Sequence, residues 1–344
     1  MNKIWAFEMN LGVNTGEDQH PLARKAPIQC ETHTRYYRTL PTNATVFRRV
    51  VDALPSFGVN TVVVNVGEGL LYESHPELAS EGAWTRETLV AELAHMRELG
   101  LEPIPMLNLS SRHDAWLGDY AYMLSTRKYH EVVGELIDEV AEVFGNPRLF
   151  HLGMNDEGSS QLANGIPYLT NGVTRNRNAR LLYRDLYTLF DRVEKNGARP
   201  WIFGDYYTKS PEEFSKKMPK ECLLSPVEFE RFLDKFAPPA PLEDPGRRAM
   251  VELAELGYDI VPTGSNLIAH ESFGQNVWTC LEYGIPDERL LGFMVNPLEI
   301  ANDLGYYTHL DNAQCLAYAK RMFEDYRAGG RDAVLKKHDR RWEI

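Results

Sequence analysis

The chain has 344 residues, 43% of them hydrophobic and 25% charged, a globular composition that excludes disordered, collagenous and fibrous classes. Its 37 basic residues stand against 49 acidic ones, a net charge of −12, so a nucleic-acid backbone or an anionic membrane surface is repelled and a neutral or cationic small molecule is the expected partner. No run approaches the roughly 18 apolar residues of a membrane span, and the N-terminus has no long apolar stretch before Glu8, which reads as a cytoplasmic protein.

Short apolar, β-branched runs alternate along the chain with segments of helical periodicity. Ile4–Met9 is followed by a helix predicted at Ala44–Pro55, Thr61–Val66 by Thr85–Leu99, Glu102–Leu107 by Lys128–Phe144, and Leu149–Met154 by Asn178–Lys195. The second half continues with Pro200–Phe203 and Pro211–Met218, Cys222–Val227 and Gly246–Leu256, Asp259–Pro262 and Asn276–Tyr283, Leu290–Val295 and Asn312–Ala328. Thr85 reads as an N-cap, and Gly100, Gly145 and Gly257 as helix C-caps. Continuous apolar strands covered by amphipathic helices belong in a parallel sheet, and eight such units predict one (β/α)8 TIM-type barrel over residues 1–344. A doubly wound dinucleotide fold would need Gly-x-Gly-x-x-Gly after an early strand, and Gly67-Glu68-Gly69 lacks the third glycine. The proline-rich stretch Ala237–Pro241 reads as a stiff loop inside the domain, since alternation resumes beyond it.

The four cysteines, Cys30, Cys222, Cys280 and Cys315, lie far apart with no Cys-x-x-Cys. They support neither a disulfide scaffold nor a structural zinc site and read as free thiols. No metal or cofactor is expected.

In a barrel of this kind the site lies at the carboxyl ends of the strands. The polar residues there are Glu8 and Asn10, Asn65 and Glu68, Asn108 with Arg112, His113 and Asp114, then Asn155, Asp156 and Glu157, then Asp205, Tyr206 and Tyr207, and finally Glu228, Asn266, Asn296 and Glu299. Carboxylates and amides hydrogen-bond sugar hydroxyls in both directions, and aromatic faces pack on sugar C–H surfaces. No strand-end lysine suggests a Schiff base. At Phe150–Glu157 an apolar strand ends in adjacent acids, whose repulsion raises the pKa of one of them; a carboxylic acid kept protonated near neutrality can protonate a glycosidic oxygen.

Over residues 62–157 the chain resembles the catalytic barrel of family 20 glycoside hydrolases, the β-N-acetylhexosaminidases. The resemblance rests on His75-Pro76-Glu77-Leu78 with Gly82-Ala83-Trp84-Thr85, on Glu98–Pro105, on His113, and on His151-Leu152-Gly153 leading into the acids, with Gly292–Glu299 similar to the family's last strand. It implies a barrel in which an Asp-Glu pair follows the fourth strand, the Asp orienting the substrate's acetamido group for attack on the anomeric carbon and the Glu protonating the leaving oxygen. Matching the acids makes Asp156 and Glu157 the pair, with one residue inserted near Met154. Matching His151-Leu152-Gly153 without a gap makes it Asn155 and Asp156. The first strand lacks the family's sugar-binding Arg, and Asp205-Tyr206-Tyr207, Pro226-Val227-Glu228 and Asn296-Pro297-Leu298 stand where tryptophans wall its acetamido pocket.

The sequence thus points to a glycoside hydrolase, hexosaminidase-like, acting on a small glycoside or oligosaccharide. Asp156 and Glu157 are the expected catalytic residues; Asn10, His113, Asn155, Asp205, Tyr207, Glu228, Asn296 and Glu299 are the expected sugar ligands. Two other readings stay open: a metal-dependent sugar isomerase or epimerase using Glu157, Asp205, Glu228 and His113, and a sugar-binding protein with altered catalysis. The sugar, its linkage and the oligomeric state are left open.

Overall fold

The computed structural model describes residues 3–14, 37–157, 162–163, 166–167, 177–229, 242, 244–266 and 272–338. Eight strands alternate with eight helices. The strands are β1 (Ile4–Asn10), β2 (Thr61–Asn65), β3 (Glu102–Met106), β4 (Leu149–His151), β5 (Arg199–Phe203), β6 (Leu223–Ser225), β7 (Thr263–Gly264) and β8 (Gly292–Val295). The helices are α1 (Ala44–Ala53), α2 (Arg86–Glu98), α3 (Arg127–Val143), α4 (Ala179–Lys195), α5 (Pro211–Lys217), α6 (Pro245–Glu255), α7 (Ser272–Glu282) and α8 (Tyr306–His338). All pairings among the eight strands are parallel, in the order β6-β5-β4-β3-β2-β1-β8-β7, and parallel bridges Leu224–Ile260 and Val227–Thr263 join β6 to β7. The sheet therefore closes into the (β/α)8 barrel expected from the alternation.

Three elements differ from expectation for local reasons. The seventh strand pairs in two pieces, Ile260 bridging Leu224 and Leu290 inside the expected run and Thr263–Gly264 continuing one residue beyond it, interrupted at Pro262, which has no N–H to give the ladder. The fourth stops at His151, where Gly153 and Met154 both turn to φ +70°. The last helix is longer, breaking at Gly329–Gly330. A short antiparallel pair, Leu162–Ala163 with Ile166–Pro167, was not foreseen. Cys30 and residues 237–241 lie outside the described residues; Cys222 and Cys280 are buried free thiols and Cys315 is half-buried. Among the described residues no helix is long and apolar enough to cross a membrane.

Strand period two divides the core in two. Residues such as Ile4, Ala6, Val63, Ile104 and Met294 fill the barrel, while Trp5, Phe7, Val62 and Val64 pack outward against the helices. Helix α3 covers its sector with Val132, Val133, Leu136, Ile137 and Val140, and Thr126 caps it by accepting from the Tyr129 amide at 3.2 Å. Each such aliphatic side chain contributes about 1.5–3 kcal/mol on burial.

The strand registers set the heights of the interior residues. Climbing two residues for every two strands, as a shear of about 8 requires, the ladder puts Glu8, Met106, Phe203 and Thr263 at one level. By the same rule Asn65, Gly153, Val227 and Asn296 lie one level higher, and Asn10, Asn108, Asp205 and Ser265 form the rim. Apolar packing gives way to amides and acids at the carboxyl end.

Candidate active site

The rim is organised around the turn after β4. Gly153 is required there: a Cβ on it would lie 2.2 Å from Asn108 Oδ1 and 2.7 Å from Asn108 Cα, and its φ of +70° is in glycine's region. That close approach lets Asn108 Nδ2 donate to Asn155 Oδ1 at 3.0 Å while Ser110 Oγ donates to the Asn155 carbonyl. Trp116 Nε1 donates to the Asn108 carbonyl at 2.8 Å, locking the loop after β3 to the same point.

Asp156 follows with φ +61°, a left-handed conformation uncommon for a residue other than glycine. The turn presents its side chain, 53% exposed, to solvent. Its Oδ2 lies 3.0 Å from His113 Nε2 and accepts from Asn155 Nδ2 at 3.2 Å. Its amide donates to Asp205 Oδ2 at 2.7 Å, while Asp205 Oδ1 is buried with no partner. Burial first, and then the negative charge of Asp156, push the Asp205 carboxyl up to about 7, although Lys209 and two backbone amides work against the rise.

Glu157 points the other way. It is 1% exposed, accepts from the Ser111 amide at 2.6 Å and the Ser111 hydroxyl at 3.1 Å, and pairs with Arg177. The buried Arg177 guanidinium also donates to Asp185 Oδ2 at 2.8 Å, to the Leu109 carbonyl at 3.1 Å and to the Tyr129 hydroxyl at 2.8 Å. Burial opposes ionisation of Asp185, but hydrogen bonds from His130 and Ser125 and the charge of Arg177 outweigh it and hold the carboxyl at about 2. Glu157 is thus an anchor beneath the turn. The catalytic role expected of it from sequence is not supported by its position.

The other expected sugar ligands divide. Asn10 reaches the rim, accepting from Asn65 Nδ2 at 3.0 Å and donating to the Glu299 carbonyl at 3.5 Å. Glu299 Oε1 accepts from the Ile300 amide at 2.9 Å, and Asn296 Oδ1 from the Leu298 amide at 2.9 Å, so these oxygens order the loop after β8. Tyr207 is not brought to the site: the short turn Asp205–Thr208 carries its ring outward onto Phe214, and its hydroxyl donates to Glu252 Oε2 on α6 at 2.8 Å. Glu228 also leaves the barrel axis, its Oε2 lying 2.4 Å from where a Cβ on Gly246 would stand at the start of α6.

Below the rim lie Glu8, named among the strand-end polar residues but given no role, and His151, named only in the motif of the resemblance. Glu8 is 3% exposed, its Oε2 is buried without a partner, and burial alone lifts its carboxyl to about 8. His151 Nδ1 accepts from the Gly153 amide at 3.0 Å, its ring packs on Trp201 and Phe203, and burial lowers its pKa to about 3. A neutral imidazole therefore sits directly under the turn. Strand alternation from Ala6 was the available signal for Glu8; Arg177 had none. Among the described residues no three His, Cys, Asp or Glu side chains are grouped so as to hold a metal ion.

No protein-family model matches the chain, and no curated protein matches it by sequence. Solved structures do match. A β-N-acetylhexosaminidase from Bacteroides fragilis aligns with a TM-score of 0.60 at 10% identity, over 92% of this chain and 65% of that one. A family 20 exo-β-N-acetylglucosaminidase from Vibrio harveyi gives 0.58 at 14% identity, over 97% and 58%. The family 20 β-N-acetylhexosaminidase of Streptomyces coelicolor gives 0.59 at 10%, over 97% and 69%. The chain spans less than two thirds of the first two. What it shares with all three is the fold.

Proposed function

We propose that this chain is a glycoside hydrolase of the hexosaminidase-like type in which Asp156 and Asp205 share one proton near neutral pH. The observation that carries the reading is the pairing itself: an exposed carboxylate whose own amide is held by a second, desolvated carboxyl with its pKa raised to about 7. Two acids so placed titrate as a pair and keep one proton where isolated carboxylates have lost it. Asp205 has one oxygen on an amide and the other buried, so Asp156 is the member that can meet a glycosidic oxygen, and it acts as the acid in the microstate of the pair in which Asp156 carries the one proton and Asp205 is ionised. His113 orients it, Glu157 and Arg177 hold the turn in place, and Asn10 with Asn108 edges the rim where sugar hydroxyls would dock.

This is the ungapped match of His151-Leu152-Gly153, with Asp156 in the acid's place and Asn155 in that of the orienting residue. Asn155 Oδ1 accepts from Asn108 and its Nδ2 donates to Asp156, so the amide is oriented by the rim and, being neutral, holds a substrate acetamido N–H less strongly than the carboxylate of an orienting Asp would. Hydrolysis of substrates without an N-acetyl group is therefore part of the proposal. The metal-dependent isomerase reading loses Glu157, which is committed to Arg177 and Ser111.

The test is turnover of aryl N-acetylglucosaminide, glucosaminide, glucoside and galactoside by wild type and Asp156→Asn. The variant should fold normally and lose about 10²–10⁴ in rate, the worth of a positioned acid. No turnover of any substrate by wild type, or full activity in the variant, overturns the reading.

A further inference from the structure

The loops that follow β1, β2 and β3 surround a cavity of about 180 Å³, lined by Glu68, Glu77, Leu78, Ala115, Trp116 and Arg38 among others. Its construction begins with glycines. Gly12 lies so close to the loop after β2 that a Cβ on it would stand 2.6 Å from the Val66 carbonyl oxygen and 2.7 Å from the Glu68 amide nitrogen, and one on Gly69 would stand 2.5 Å from Leu11. Two backbones packed this tightly carry the Glu68 side chain inward, to 2% exposure. Its Oε1 accepts from the Val13 amide at 2.7 Å and the Asn14 amide at 2.9 Å. Those bonds account for one half of the carboxylate as a clip between loops.

The other half is unexplained by the fold. Glu68 Oε2 is buried and has no partner, an arrangement that native interiors avoid unless a ligand, ion or proton completes it. The wall beside it offers the indole of Trp116, whose N–H is spent on Asn108 and whose π-system attracts cations. The remaining walls mix apolar Leu78, Ala79 and Ala115 with polar Asn14, Tyr37 and Ser80, and the charged lining is two acids against one arginine. Trp116 follows His113 by three residues, so one loop serves both this cavity and the Asp156 turn.

We propose that this cavity binds the primary ammonium group of an amino sugar, with Glu68 Oε2 accepting its hydrogen bond and Trp116 forming its wall. The proposal deepens the glycosidase reading by naming a substrate unit, and rests on that reading only for the sugar. An ammonium supplies both the donor and the charge that the buried oxygen lacks; a neutral hydroxyl supplies only the donor. Burial, opposed by the Val13 and Asn14 amides, raises the Glu68 carboxyl to about 7, so a cation must draw its proton off and affinity should rise with pH. The charged and titratable groups facing Glu68 are Glu77 and Arg38 in the cavity wall and Tyr72 from its own loop, with Glu139 beyond it.

The experiment is calorimetric titration with glucosamine and with glucose, on wild type, Asp156→Asn and Glu68→Gln. Gln keeps an oxygen for the Val13 and Asn14 amides and removes the charge. Glucosamine should bind wild type and Asp156→Asn alike, about 10-fold or more tighter than glucose, and Glu68→Gln should lose that margin, the worth of a charge-assisted hydrogen bond. Should Glu68→Gln fail to fold, Ala115→Leu, which fills the cavity and leaves the clip intact, must lose the same affinity. Equal binding of glucose and glucosamine, no binding of glucosamine, or unchanged affinity in the folded variants overturns the proposal. Failure of the glycosidase reading shows separately, as absent turnover in wild type while glucosamine still binds Asp156→Asn.

Discussion

Replacing Glu8 by glutamine changes one proton and almost no volume, and the barrel interior makes the consequence large. The carboxyl is lifted from its ordinary value near 4.5 to about 8 because it sits beneath the Asn65 and Asn296 level with one oxygen unpartnered. Below 4.5 both the folded and the unfolded chain carry the proton, and Glu8 contributes no pH dependence. Between 4.5 and 8 only the unfolded chain ionises, so folding must take up a proton and wild type loses about 1.4 kcal/mol per pH unit. The loss reaches about 3 kcal/mol at pH 7 and levels near 5 kcal/mol above pH 8. Glutamine does not titrate, and any cost of burying its amide is the same at every pH. Urea unfolding of wild type and Glu8→Gln across this range should therefore give a stability difference that moves steadily in favour of the variant, by about 3 kcal/mol from pH 4.5 to 7. Parallel stability curves would refute the argument, since they would mean that the folded protein ionises Glu8 as readily as the unfolded chain does.

The remaining predictions concern the rim. Glu157→Gln removes one of the two carboxylates on a buried guanidinium, leaving Asp185, and should cost about 1–3 kcal/mol of stability by chemical denaturation, with activity falling in step with the folded fraction; a fully stable but inactive variant would return Glu157 to the role of acid. Asp205→Asn takes the repelling charge and the shared proton from beside Asp156, so the limb of the pH–rate profile that reports the acid should move to lower pH, and an unmoved limb counts against the pair. Gly153→Ala forces a Cβ into Asn108 at a positive φ and should lose several kcal/mol in a thermal melt, together with the Asn155 contact; wild-type stability would mean that the turn can rearrange freely.

Much of the barrel was legible because its signal is repeated eight times and each strand is apolar on both faces, so an error in one boundary, as at Pro262, left the topology intact. The rim residues Asn10, His113, Asp156 and Asp205 were legible for a weaker reason, that polar side chains just past a buried strand have few places to go except the open end. Direction was not legible. Adjacent acids at 156 and 157 face opposite ways, and what decides between them is Arg177, twenty positions on and in no local pattern with either. Tyr207 was misplaced because a single turn after β5 carried it to Glu252, a contact between elements that periodicity does not encode. Gly67-Glu68-Gly69 is the most instructive case. Its glycines are spent on letting the backbones after β1 and β2 touch, as the distances at Gly12 and Gly69 require, so the pattern has a packing cause and owes nothing to phosphate. That same packing is what drives Glu68 inward with one oxygen satisfied and one not, so a motif rejected for one ligand created, by its geometry, the buried acid that calls for another.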